Sequence, residues 1–343
     1  MKTLTAALAI LVAAVMTGNA QTSTTDPVGY NTITVAGNGG SGVKYSYLAV
    51  NLLNSAVFVG QIDGGLKAAA GSFTSGQFNQ GTTYAKFYVE IMSGANAGSQ
   101  ADIISNTTDT LTVVGNAEFQ ATIGSGASVS IRKHRTLADV FGGSSGSATA
   151  TDVLLAPGGT LSAADNVMLY EGGNYKSYYY SSNTLRAGWR DSGGILSTDR
   201  PIYQNQGVII ARKSNSDVVA VVVGVVKTGL SLIDLDAGYT LVSLPAPADA
   251  TLPSIFGGIS GSASATDVKI AKGGTLSAAD NILVISRTGS IDTYYYSSNT
   301  LRPGWRNSSG DVASSATISG SAAVFIKKAA ATVLAVTQIP SSQ

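Results

Sequence analysis

Four aspartates stand in two matching pairs. Asp152 and Asp165 recur as Asp267 and Asp280, in a block of sequence that the chain contains twice. Two carboxylates flanking a glycosidic bond are the working groups of glycoside hydrolysis, one as acid and the other as base or nucleophile. Asp165 with Asn166 and a loop carbonyl also offers the hard oxygen ligands that calcium takes. The one histidine, His134, is the residue that a Ser–His hydrolase would need beside its nucleophile. The third chemistry is stacking. Tyr178-Tyr179-Tyr180 is followed by Trp189-Arg190, and Tyr294-Tyr295-Tyr296 by Trp305-Arg306. Aromatic faces beside guanidinium groups can lie against a sugar ring or another protein surface.

The local sequence weighs against catalysis. Asp in Thr-Asp-Val and Ala-Asp-Asn is a turn or capping residue, because its carboxylate bonds nearby backbone N–H groups. Glutamate is scarce, with only Glu90, Glu118 and Glu171. His134 lies in Arg132-Lys133-His134-Arg135, and three cationic neighbours lower the proton affinity of a base. No Gly-x-Ser-x-Gly elbow comes with a plausible base, and no EF-hand or nonapeptide spacing supports a calcium site. The expectation is no catalytic residue, no cofactor and no metal. Alternation along a strand puts Tyr178 and Tyr180 on one face and Tyr179 on the other. The rings then either fill the core as cross-strand pairs or meet something. The candidate contact residues, for a subunit interface or a glycan, are Tyr179, Trp189, Arg190, Tyr295, Trp305 and Arg306.

The elements that hold these residues are short strands. Alternating or apolar runs at 31–35, 45–53, 86–91, 101–104 and 110–114 are separated by Gly, Asn and Asp turns, the pattern of a small antiparallel barrel or sandwich. Val129-Ser130-Ile131-Arg132-Lys133 is echoed by Val208 to Lys213 and by Val324 to Lys328. It reads as a strand with its apolar face in the core and its basic end at the rim. Val218 to Val226 is continuously apolar apart from Gly224 and reads as a buried strand. Within the repeat the offset is 115 at Phe141/Phe256 and Asn166/Asn281, 116 at Tyr178/Tyr294, and 115 again at Arg212/Lys327. The extra residue falls where Gly172-Gly173-Asn174 faces Thr288-Gly289-Ser290, a hairpin tip that tolerates a change of length. Thr160 to Asp165 is long enough for one helical turn at most. Leu244-Pro245-Ala246-Pro247 is a stiff connector between the copies. The expected fold is all-β: a small N-terminal β-barrel or sandwich module over 21–135, then two tandem, near-equivalent antiparallel β-domains over 136–235 and 236–343.

Lys2, the apolar stretch Leu4 to Met16 and Gly18-Asn19-Ala20 make residues 1–20 a signal peptide, too short in its apolar part to span a bilayer as a lone anchor. Without Lys2 the chain holds 20 basic and 20 acidic residues. That balance points neither to nucleic acid nor to an anionic membrane surface. Only 12% of residues are charged, about half the share of a typical soluble domain. Low net charge removes the repulsion that keeps copies apart. There is no cysteine, so an exported chain of this kind relies on its core or on assembly.

Several of these phrases occur together in a known context. Asp26-Pro27-Val28-Gly29-Tyr30 after a signal peptide, Phe87-Tyr88-Val89-Glu90-Ile91 leading into Ser93-Gly94-Ala95-Asn96-Ala97-Gly98, Leu137 with Phe141-Gly142, and the Tyr-Tyr-Tyr…Trp-Arg hairpin resemble an uncharacterised family of exported proteins from Verrucomicrobia-type bacteria. The resemblance implies location and lineage and brings no activity, cofactor or site residue. The expected function is that of an exported, non-enzymatic structural protein, secreted or at the cell surface, that self-assembles as a filament, sheath or layer subunit. The alternative is a glycan-binding, adhesive surface protein with paired aromatic sites. The expected partners are other copies of the chain, or a polysaccharide, with no nucleic acid and no membrane span once the signal peptide is removed.

Overall fold

The computed structural model describes residues 27–337 apart from 41, 122 and 125. The signal peptide expected over 1–20, the polar lead after it and residues 338–343 lie outside the described residues. The chain is nearly all β. It begins with β1 (Val28–Val35), β2 (Lys44–Ala49) and β3 (Leu52–Leu53). Then come β4 (Ala56–Ile62), β5 (Phe87–Ile91), β6 (Gln100–Asn106), β7 (Leu111–Val113), a short α1 (Asn116–Ala121) and β8 (Ala127–Lys133). The first copy of the repeat continues with β9 (Arg135–Thr136), α2 (Leu137–Phe141), β10 (Asn166–Glu171), β11 (Asn174–Ser181), β12 (Gly188–Asp191), β13 (Pro201–Ile202), β14 (Gly207–Arg212) and β15 (Val218–Val226). The second has β16 (Leu230–Leu235), β17 (Gly238–Val242), β18 (Ala250–Thr251), α3 (Leu252–Phe256), β19 (Asn281–Ile285), β20 (Ile291–Ser297), β21 (Gly304–Asn307), β22 (Thr317–Ile318), β23 (Val324–Lys328) and β24 (Thr332–Thr337).

Strand pairing divides the chain differently from the sequence reading. The first copy is a five-stranded antiparallel sheet, β12-β11-β10-β14-β2, packed on a three-stranded sheet, β1-β15-β3. The second is β21-β20-β19-β23-β17, packed on β16-β24. So β1 and β2, expected in the N-terminal module, complete the first copy in the places that β16 and β17 take in the second. The second copy accordingly starts at Leu230, before the division expected at 236. The middle strands form a separate sheet, β4-β8-β5-β6-β7, with its own core around Phe73, Phe78, Val89, Ile103 and Val129. This module is an insert within the first copy, leaving after β3 and returning at β9. In the second copy the same crossing, from β17 to β18, takes seven residues. The expected inter-copy connector Leu244-Pro245-Ala246-Pro247 is part of that crossing and lies inside the second copy.

Local chemistry explains the repeated elements. Thr136 caps α2 in a capping box with Asp139, and Thr251 caps α3, which has Pro253 in its first turn. Both one-turn helices drive a Leu, a branched residue and a Phe into the core. The tip between β10 and β11 is Gly172-Gly173, whereas the equivalent link runs from Ser286 to Ser290, so the length difference does fall at a hairpin tip. The register does not return to 115. Asn166 faces Ala211, and Asn281 faces Lys327, which makes Lys328 the counterpart of Arg212. Nor is the 45–53 run one central strand: β2 is the sheet edge, and the chain breaks before β3.

The two copies pack on each other about a pseudo-two-fold axis. By register, Tyr47 corresponds to Leu241 and Ile209 to Phe325. These four, with Ala323, Met168 and Tyr175, form one apolar cluster between the outer faces of the two five-stranded sheets. Tyr47 meets Phe325 edge-to-face at 5.6 Å between ring centroids. The edges follow the same symmetry. Ala49 N–H donates to Ser321 C=O and Ser243 N–H to Asn205 C=O, both at 2.9 Å. Leu48 bridges Ala322, and Val242 bridges Gln206. This is the contact geometry of an isologous dimer written into one chain. Gly207 lies within it, where an added Cβ would stand 2.5 Å from Leu241 Cγ and 3.1 Å from Ala323 Cβ. Gly207→Val is therefore expected to cost about 1–3 kcal/mol by overpacking. Gly159→Ala, with nothing within 4 Å of its Cβ position, should stay within about 0.5 kcal/mol. Urea denaturation of both variants checks this.

Candidate interaction surfaces

The repeated motif folds onto itself as a closed hub. Gly142 and Gly257 have positive φ, and a Cβ on either would stand 1.9 Å from the carbonyl oxygen of Asp152 or Asp267, so only glycine fits. The next residue, Gly143 or Gly258, lies against the ring of Tyr180 or Tyr296. Trp189 and Trp305 are 0% and 1% exposed. Their indole N–H groups donate to Gly142 C=O at 2.8 Å and Gly257 C=O at 2.9 Å, and each meets its tyrosine edge-to-face. The two tryptophans are core residues, not the contact residues expected. Tyr179 and Tyr295 do point outward, opposite their inward neighbours, yet remain 9% and 8% exposed. Arg190 and Arg306 are committed to the hairpin loop. Arg190 donates to the carbonyls of Arg186, Ala187 and Gly194, and Arg306 to those of Pro303 and Gly310.

The aspartates also have structural partners. Asp152 accepts Gly143 N–H at 3.0 Å, and Asp267 accepts Gly258 N–H at 2.8 Å. Asp165 is fully buried, accepts the N–H groups of Ala156 and Lys213, and lies 2.9 Å from the Arg212 guanidinium. Asp280 accepts Ala271 N–H and pairs with Lys328. The basic ends of β14 and β23, expected at the rim, are thus drawn inside by a buried carboxylate. A cation at Asp165 would have to displace that guanidinium. Among the described residues no cluster of three or more His, Cys, Asp or Glu side chains is placed to hold a metal. Glu171 is held by Tyr178 and by Arg200 at 2.7 Å. Burial pushes its carboxyl up, but the Tyr178 hydroxyl, Arg200 and Lys176 outweigh burial and hold it below the usual carboxylate range.

His134 differs from its sequence reading in its surroundings. The ring is buried against Tyr88 and Tyr203, and Nε2 lies 2.8 Å from Asp102 Oδ1. Its basic neighbours turn elsewhere: Arg132 to Asn54 C=O, Arg135 to the carbonyls of Leu52, Leu53 and Val223. The contact with Tyr203 ties the insert to the first copy. Two further ties act alike, Lys227 with Glu90 and Arg200 stacked over Tyr84.

Packing about the pseudo-two-fold leaves two equivalent clefts. One, of about 430 Å³, is lined by Thr32, Thr34, Ser46, Tyr47, Ser319 and Ser321. Its twin, of about 200 Å³, has Leu232, Asp234, Thr240, Leu241, Tyr203 and Asn205 at those places and is narrowed by Gln100 from the insert. A row of bare apolar side chains lies on β15. Val219, Val221 and Val223 are 51%, 58% and 58% exposed, and Tyr30 across from Val223 is 74% exposed. The run expected to be buried on both faces is buried on one. At the β11–β12 and β20–β21 tips, Leu185 and Leu301 are 92% and 90% exposed. These surfaces carried no separate signal in the sequence, because a valine-rich strand reads alike whether or not its second face is covered.

Comparison with known protein families, with curated proteins and with solved structures finds no match. Two outcomes follow from the buried charges. Asp165→Ala leaves Arg212 without its partner and is expected to cost about 3–5 kcal/mol; a variant as stable as the parent in denaturant would contradict this. The depressed Glu171 carboxyl stabilises the fold above its ordinary value of 4.5, and that contribution is lost as pH falls through the lower folded value. Glu171→Gln should therefore flatten part of the acid limb of a Tm-against-pH curve.

Proposed function

We propose that this chain is an exported, non-enzymatic structural protein whose copies assemble outside the cell or at its surface into a filament, sheath or layer. One observation carries the reading: a chain with few charges and no net repulsion presents uncharged apolar side chains along β15 and bare leucines on two hairpin tips. Surface of this kind marks association sites. The occupied aspartates support a structural role, since each is bound by backbone N–H groups and two of them by buried cations. The glycan alternative draws no support from the residues expected to serve it, because Trp189 and Trp305 are in the core and Tyr179 and Tyr295 are nearly covered.

Sedimentation velocity and negative-stain electron microscopy of residues 21–343 over a wide concentration range test the proposal. Higher-order species should appear as concentration rises, and sulfate should favour them, because excluded salts strengthen apolar burial. A strictly monomeric protein at every concentration and salt would contradict it.

A further inference from the structure

The stretch Tyr-Tyr-Tyr-Ser-Ser-Asn-Thr-Leu-Arg is identical in both copies, and internal contacts account for most of it. Tyr180 and Tyr296 fill the hub. Ser181 and Ser297 accept the N–H groups of Asn183 and Asn299. Asn183 and Asn299 accept those of Leu185 and Leu301 at 2.9 Å. Arg190 and Arg306 hold the far side of each loop. Among the aliphatic and aromatic side chains of the stretch, the two leucines alone stand bare. Each stands bare on a loop whose backbone is fixed, an apolar knob that needs little ordering before it docks.

The surface suited to a knob is the outer face of β1 and β15. Val219, Val221 and Val223 stand across from Thr34, Thr32 and Tyr30, six residues without a charge. The twin of this face, on β16 and β24, has Leu230 and Leu232 at the places of Tyr30 and Thr32. There the chain covers the β16 half itself, while Val333, Ala335 and Thr337 on β24 stay exposed. The β5–β6 turn brings Gly98 so close that a Cβ would lie 2.8 Å from Leu230 C=O and 3.3 Å from Leu232 Cγ. The twin thus shows what such a face takes: a hairpin turn of this same chain.

We propose that the tips bearing Leu185 and Leu301 of one molecule seat on the β1–β15 face of the next. This rests on the assembly reading and names its contact. Each molecule offers two equal knobs and one face open on both strands, the insert having covered the β16 half of the other. Knob and face are different surfaces, so the contact is heterologous, and such contacts run on into chains unless their rotation closes a ring.

The absence of native cysteine permits a direct test. Leu185→Cys/Leu301→Cys protein is mixed with Val221→Cys protein and oxidised, with Val57→Cys on the exposed insert surface as control. The expected product is a disulfide between the two samples, in excess over either alone and over the control. Val221→Cys pairing chiefly with itself would mean a face-to-face dimer and overturn the proposal. In parallel, Val221→Lys and Leu185→Asp/Leu301→Asp should each raise the concentration needed for assembly roughly tenfold or more at unchanged Tm. If the parent assembles and these variants match it, the named contact is wrong and the assembly reading stands. If the parent never assembles, sedimentation of the parent alone overturns both.

Discussion

The contact between the two copies decides what every other surface is free to do. Tyr47 against Phe325 and its image, Leu241 against Ile209, close the outer faces of the two five-stranded sheets on each other. Closing them turns the smaller sheets outward and creates two clefts where the edges fail to meet. The insert between β3 and β9 then breaks the symmetry further. It narrows one cleft with Gln100 and covers the β16 half of one small-sheet face with the turn at Gly98. The other cleft and the other face, carrying Val219, Val221 and Val223, stay open. The asymmetry of the surface comes from the insert, from β3, which only the first small sheet has, and from side-chain changes such as Thr34 against Asp234.

Charge is used inside the fold. In each copy a buried carboxylate, Asp165 or Asp280, pins the start of the third strand to the basic end of its neighbour 47 or 48 residues later. The insert is tied to the first copy by Glu90 to Lys227, by Tyr84 to Arg200 and, at its end, by the ring of His134 against Tyr203. A chain with so few charges that places several of them in its interior leaves an unusually neutral exterior. Buried pairs contribute little net stability against a well-packed apolar alternative, but a broken pair is costly. They thus enforce one register and one docking of the insert more than they add to overall stability.

Fold class was legible because short β-branched runs punctuated by Gly, Asn and Asp admit little else. The repeat and the tyrosine alternation were legible for the same reason, since period-two patterning fixes which side of a strand a residue takes. The division of the chain was not. Val28–Val35 and Lys44–Ala49 pair with strands more than 150 residues away, and no local pattern records a partner so distant. Trp189 and Arg190 looked like a contact pair because a sequence does not show that the indole N–H finds Gly142 C=O, or that the guanidinium closes its own loop. The basic end of β14 looked like a rim for a related reason: Asp165, which draws Arg212 inward, read only as a turn residue. Val218–Val226 misled in the opposite direction, since an all-apolar strand implies two covered faces and here one is bare.

Amide hydrogen exchange followed by NMR tests the pseudo-two-fold contact without altering the protein. The N–H groups of Ala49, Ser243 and Ala323 each donate to a carbonyl of the opposite copy, those of Ser321, Asn205 and Tyr47. One opening event would expose all three, so their protection factors should be high and should match one another. Exchange of Ala49, Ser243 and Ala323 at the rate of free amides, while amides within β14 and β23 stay protected, would contradict it.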